Sequence, residues 1–420
     1  MRRAIRLVTV LAFLTAGTGT VHATTLTISC GSVGQDFETC KRATDAWAKK
    51  TGNQVKQLSI PPTSTDTLGL YQKMFAAKSS DVDIVMVDVV WPGMVGKHLL
   101  DLLPYTKGQE KKHFPAIIKN NTVDGKLIAM PWFTDAGVLY YRKDLLKKYG
   151  LSVPKTWDEF ARAAATIQDG ERRAGHADFQ GFVWEGKAYE GLSCAALEWV
   201  HSMGGGSIID SDTGEITINN DQAAKAFDMA ARWIGTISPQ SVLNYAEEDA
   251  RGVFQNGKAA FMRNWPYAWS LAQSADSRVK NKVGITQMPG GAGGQSATLG
   301  GWQLAVSKYS RHPAVAAELV MYLTSETMQK RRAIESSYNP TYPALYKDTE
   351  VLRANPFYTE LYDVLMNATL RPSSVTGLKY NEVSQNFWNA AHDVLSGHHT
   401  GAESVKKLES WLKHIKRDKW

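Results

Sequence analysis

The sequence contains no H-E-x-x-H motif, no cysteine and histidine spacing suited to zinc, and no G-x-S-x-G elbow. Those absences remove the usual local signatures of zinc hydrolases and serine hydrolases. Gly290-Gly291-Ala292-Gly293-Gly294 is rich in glycine, but Gln295-Ser296 follows where a phosphate-binding loop needs a lysine and a hydroxyl residue, so it reads as a plain loop. Beyond the N-terminus, no apolar run approaches the roughly 20 residues of a membrane span. Three cysteines are too few for a disulfide scaffold. Charge of one sign is also scarce: 48 basic against 41 acidic side chains, evenly scattered, do not argue for a nucleic-acid partner. There is no internal repeat and no low-complexity linker, and nothing calls for a metal or a cofactor.

What is present begins with residues 1–23. Arg2, Arg3 and Arg6 precede an apolar stretch over 7–16, and Val21-His22-Ala23 forms a small-x-small end before Thr24. This reads as a cleavable secretory signal. Cys30 follows Thr27-Ile28-Ser29, which is not a lipid-attachment motif, so the mature chain is expected to be soluble and periplasmic. An exported chain can keep a disulfide. Cys30 and Cys40 flank a strand-to-helix turn and are expected to be bridged, whereas Cys194, in an apolar stretch, is expected to be a buried free thiol.

The 420 residues are enough for two domains at about 150 residues each. Thr25-Leu26-Thr27-Ile28-Ser29 alternates as a strand does. A helix follows with Phe37, Cys40, Ala43 and Trp47 on one face and Gly52 as its stop. The run 82–90 reads as a buried strand, preceded by a helix carrying Leu70, Tyr71, Met74 and Phe75. Thr156-Trp157-Asp158-Glu159 is a capping box that opens a helix to about Gln168, because hydroxyl and carboxylate can satisfy each other's free backbone N–H groups. Further helices are expected over 189–203, 221–234, 313–334, 382–395 and 402–415. Strand and helix alternate, so the class is α/β and the sheet is expected to be parallel.

Asp36 follows the first strand, Asp88 lies near the end of a core strand, and Asp135 follows Trp132-Phe133-Thr134. Such aspartates can form an acid and base pair for glycoside hydrolysis, accept hydrogen bonds from sugar hydroxyls, or simply cap turns. Nothing local separates these readings. In 263–269, Arg-Asn-Trp-Pro-Tyr-Ala-Trp, the rings of Trp265, Tyr267 and Trp269 crowd round one proline after the expected strand end Ala259-Ala260-Phe261-Met262. Gly300-Gly301-Trp302 again sets an aromatic beside glycines. Thirteen tryptophans imply that many pack the core, yet loops at strand ends are where functional side chains concentrate.

Several stretches together resemble the extracellular solute-binding proteins of carbohydrate ABC importers. They are Gly125-Lys126-Leu127-Ile128-Ala129-Met130-Pro131, Asp135-Ala136-Gly137-Val138-Leu139-Tyr140-Tyr141-Arg142-Lys143-Asp144-Leu145-Leu146 and Pro154-Lys155-Thr156-Trp157-Asp158-Glu159-Phe160. The likeness tightens toward trehalose/maltose binders at Phe182-Val183-Trp184-Glu185-Gly186-Lys187-Ala188-Tyr189-Glu190-Gly191-Leu192, at Asn264-Trp265-Pro266-Tyr267-Ala268-Trp269 and at Thr298-Leu299-Gly300-Gly301-Trp302.

The resemblance implies two α/β lobes joined by a hinge that the chain crosses three times, with the ligand in the cleft between them. The N-terminal lobe would be 24–134 plus 303–338 and the C-terminal lobe 135–301 plus 339–420. The crossings would fall at Asp135, at Gly300-Gly301-Trp302 and near Asn339-Pro340. Asp36, Asp88, Asp135, Trp265, Tyr267, Gly300, Trp302 and Arg371 are implied as ligand contacts, with the permease subunits of an ABC transporter as partners and a monomeric state. Phe133 departs from the family by replacing a tyrosine, and no basic residue stands around Thr65-Asp66-Thr67-Leu68 where close relatives have one. The alternatives are a secreted glycoside-acting enzyme using Asp88 and Asp135, or a binder of another solute on the same fold.

Overall fold

A computed structural model describes residues 23–420, so the expected secretory signal at 1–23 lies almost wholly outside the described residues. Eleven strands among the described residues build two main sheets and a small hairpin. The first sheet contains β1 (Thr25–Ile28), β2 (Gln54–Gln57) and β3 (Ile84–Asp88). The hairpin is β4 (Thr122–Val123) with β5 (Lys126–Leu127), and β6 (Met130–Ala136) returns to the first sheet. The second sheet takes β7 (Val138–Arg142), β8 (Gln180–Val183), β9 (Ala259–Asn264) and β10 (Val283–Thr286). Strand β11 (Leu299–Val306) then closes the first sheet between β3 and β6.

The first sheet has the order β2-β1-β3-β11-β6. Its first three strands are parallel, as the alternating pattern predicts, but β11 runs antiparallel to both β3 and β6. In the second sheet, ordered β10-β7-β9-β8, only β8 and β9 are parallel. The expectation of a parallel sheet is therefore corrected to two mixed sheets. Strands that arrive from the other lobe are not tied to a helical crossover and need not share its direction.

The helices follow their capping chemistry. Trp157–Arg173 starts at a complete Thr156/Glu159 capping box, and Asp36–Thr51 stops at left-handed Gly52. The helix expected over 313–334 is two, Pro313–Leu323 and Glu326–Ser336. At the break the Thr324 hydroxyl donates back to the Val320 carbonyl, while the Thr324 carbonyl accepts from the Tyr342 hydroxyl, so a tertiary partner replaces the helical one. Cys30 and Cys40 are bridged and Cys194 is free and buried. Much of the tryptophan content is core: Trp157, Trp184, Trp199 and Trp233 cluster with Phe160 and Phe182 under the second sheet.

The chain passes between the sheets at Gly137, between β6 and β7, and again where β11 begins. Near Asn339 it touches β6, whose Thr134 N–H donates to the Asn339 carbonyl. The segment beyond packs on both sides of the junction, with Tyr346 against Phe114 and Phe357 against Trp269.

Candidate ligand-binding cleft

A cleft between the two sheets holds about 750 Å³ of space, counting the solvent in its mouth. Asp36, Asp88, Asp135, Trp265, Tyr267, Gly300, Trp302 and Arg371 all line it, although they are spread over more than 300 residues of sequence. Asp36 opens the helix after β1, Asp88 ends β3, Asp135 sits in β6, and Gly300 and Trp302 belong to β11. Trp265 and Tyr267 stand in the turn after β9. Of the three aromatic residues in 263–269, Trp269 turns away and packs edge-on against Phe357 at 5.2 Å.

The polar part is a set of buried carboxylates with fewer cations. Arg332 donates to Asp36 at 2.5 Å, and its guanidinium lies over the rings of Trp132, Phe133 and Tyr338 at 3.8, 4.9 and 4.4 Å. Arg371 donates to Glu190 at 2.7 Å and reaches Asp88 at 3.4 Å. Glu190 also accepts from the Tyr380 hydroxyl and, at 2.7 Å, from Ser384. Asp135 has no such partner: its Oδ1 is buried without a hydrogen bond. Burial raises the Asp36 and Asp88 carboxyls to about 6 in spite of Arg332 and Arg371. Burial, followed by the nearby Asp36 charge, pushes Asp135 well above the ordinary carboxylate range.

The apolar part is flat. Trp265 and Trp302 are half-buried with a face to the cleft, and Trp302 meets Trp91 edge-on at 5.2 Å. Tyr267 stacks on Tyr338 at 6.0 Å and donates its hydroxyl to Glu248 at 2.7 Å. Gly300 leaves the room that the indole occupies, since a Cβ there would lie 2.8 Å from the Trp265 ring. Buried carboxylates, one of them, Asp135, without an internal donor, set beside the half-buried rings of Trp265 and Trp302, suit a ligand that carries both hydroxyl donors and apolar faces.

Sequence reasoning missed several wall residues: Glu190, Glu247 and Tyr338 line the cleft, and Arg332 stands behind it. Thr63, Ser64 and Thr67 also line it, at the start of the helix Ser64–Ala76, where the expected basic residue is lacking. Phe133, in place of a tyrosine, packs against Tyr338 at 4.7 Å.

The profile of the family described as bacterial extracellular solute-binding protein matches residues 31–330. The chain is 54% identical over 408 residues to a protein of Deinococcus radiodurans named "Probable ABC transporter-binding protein", covering 96% of this chain and 97% of that one. It is 28% identical over 298 residues to the maltodextrin-binding protein MdxE of Bacillus subtilis, covering 67% of this chain and 62% of that one. The fold matches the structure "Maltose bound T. maritima MalE3" with a TM-score of 0.89 at 39% identity, over 94% of this chain and all of that one. Among the described residues, no helix is long and apolar enough to cross a membrane. The hydrolytic reading of Asp88 and Asp135 is thereby set aside: the chain belongs to the bacterial extracellular solute-binding proteins of ABC transporters and is not an enzyme.

Proposed function

We propose that this chain is the periplasmic binding component of an ABC sugar importer and that its ligand is an α-glucoside disaccharide, trehalose or maltose. One observation carries the reading: Asp36, Asp88, Asp135 and Arg371 stand in the same cleft as the faces of Trp265 and Trp302 and the ring of Tyr267. A sugar presents hydroxyls round its edge and C–H patches on its faces. The carboxylates and the guanidinium take paired hydroxyls, and the rings cover the faces. The relatives named for maltodextrin and maltose support the sugar class. Others are named for mannitol or ribitol, so the choice of a disaccharide rests on the likeness of 182–192, 264–269 and 298–302 to trehalose/maltose binders.

In this reading the lobes are 24–134 plus 303–338 and 135–301 plus 339–420. The ligand touches both and draws the hinge closed, and the closed form delivers it to the membrane permease. The leader 1–23 is removed on export and the mature protein acts as a monomer. At the helix Ser64–Ala76, hydroxyl groups replace the family's basic residue, so ligand contacts there are neutral. Equilibrium dialysis with labelled trehalose and maltose tests the reading. The protein should retain the sugar and return it chemically unchanged; no retention of either would end the proposal.

A further inference from the structure

Behind the Trp265 ring lies a cluster of charges that does not itself line the cleft. Arg263, at the end of β9, is bidentate to Glu198, with Nε 3.1 Å from Oε2 and Nη2 2.6 Å from Oε1, and its Nη1 is 3.1 Å from Glu185 Oε1. All three side chains are at most 1% exposed. The guanidinium carbon sits 4.1 Å from the centre of the Trp265 ring, and while Trp265 lines the cleft, Arg263 does not.

The cluster also reaches both chain crossings beside it. Glu198 Oε1 accepts from the Thr298 N–H, immediately before β11. At the other crossing a Cβ on Gly137 would fall 2.0 Å from Glu198 Oε1 and 2.4 Å from Arg263 Nη2, so the backbone there is pressed onto the ion cluster. The Trp265 backbone is held as firmly. Its N–H donates to Asn264 Oδ1 at 2.8 Å, and its carbonyl accepts from the Tyr140 hydroxyl at 2.8 Å.

Two carboxylates round one guanidinium, fully buried, carry a desolvation cost that apolar packing would avoid. What the arrangement supplies is direction, because a bidentate guanidinium has one plane and one position. We infer that Arg263, fixed by Glu198 and Glu185, is a positioning residue that holds the Trp265 indole as a ligand platform and ties it to the two crossings at Gly137 and Thr298. The inference rests on the reading that Trp265 stacks on a sugar.

A double-mutant cycle with maltose and trehalose, read by calorimetry on the full mature chain, tests it. Trp265→Ala alone should weaken binding, which checks the stacking itself. Arg263→Lys keeps the charge but loses the flat fork, and should weaken binding roughly tenfold, the scale of a desolvated cation–π contact. In the Trp265→Ala background the same lysine substitution should change affinity by less than about twofold, since the platform it positions is gone. A tenfold loss that persists without the indole, or no loss with the indole intact, overturns the inference. If Trp265→Ala leaves affinity unchanged, the stacking reading falls and the inference with it. Should Arg263→Lys not fold, Glu198→Gln replaces it in the cycle, with the same dependence on Trp265 expected.

Discussion

Arg371 lies between Asp88 and Glu190, with Nη2 3.4 Å from Asp88 Oδ1 and Nη1 2.7 Å from Glu190 Oε1, and all three side chains are buried. Asp88 ends β3 of the first sheet, while Glu190 opens the helix Glu190–Ser202 that packs with the second. One guanidinium thus balances a carboxylate on each side of the cleft. Arg371→Ala would leave both without a cation, and removing one partner of a buried pair costs about 3 to 5 kcal/mol. Denaturant unfolding should show that loss of stability, together with weaker sugar binding. A wild-type unfolding midpoint would mean that the pairing carries no weight.

Trp302 faces the cleft from β11 with Trp91 set edge-on beside it. Covering an aromatic side chain is worth about 2 to 3 kcal/mol, so Trp302→Ala should lower disaccharide affinity roughly a hundredfold. Unchanged affinity with a lower melting temperature would make the ring a packing element.

Asp135 is the carboxylate that lacks an internal partner, with Oδ1 buried and unbonded. Asparagine keeps its shape and removes a carboxyl whose charged form burial disfavours. Asp135→Asn should therefore melt at or above the wild-type temperature while binding sugar tens of times more weakly, since losing a charge-assisted hydrogen bond costs about 1.5 to 3 kcal/mol. Weakened folding with near-normal affinity would instead assign Asp135 to a turn cap.

Asp36 and Asp88 both titrate at about 6 in the folded chain, above the ordinary 3.8, because burial outweighs their arginines. Their folded pKa values are raised, so between about pH 4 and 6 the native state holds more protons than the unfolded one, and this contribution to stability falls as pH rises. The ligand-free protein should gain stability from these groups as pH drops from 7 toward 5, while sugar affinity declines as the acceptors are protonated. Melting curves and titrations across that range check both slopes. If stability falls instead on acidification and Asp36→Asn does not alter that trend, these two carboxyls are not the groups in control.

The rhythm of strand and helix, the Thr156/Glu159 box and the Cys30–Cys40 bridge were legible because each is written in short local patterns. The direction of β11 was not: its partners β3 and β6 lie more than 160 residues earlier, and no local pattern records how a returning strand enters. The eight candidate residues do meet in one cleft, but the cations that organise them were harder to see. Lys330-Arg331-Arg332 reads as a solvated run, and two of the three behave so, pairing at the surface with Asp348, Glu350 and Glu335. Only Arg332 turns inward, on the face shared with Met328, Gln329, Ala333 and Ser336, and that helical spacing was the available signal. Glu190 was hidden by position, since an acid in the first turn of a helix is ordinarily explained by the helix dipole.

The most direct measurement is a calorimetric titration of the purified mature protein with trehalose, maltose, sucrose and glucose in turn. The account predicts saturable binding of one molecule per chain for trehalose or maltose, with glucose far weaker because a single ring offers fewer hydroxyls and faces to the carboxylates and aromatic rings of the cleft. A cooperatively melting protein that gives no binding heat and no thermal stabilisation with either α-glucoside would contradict it.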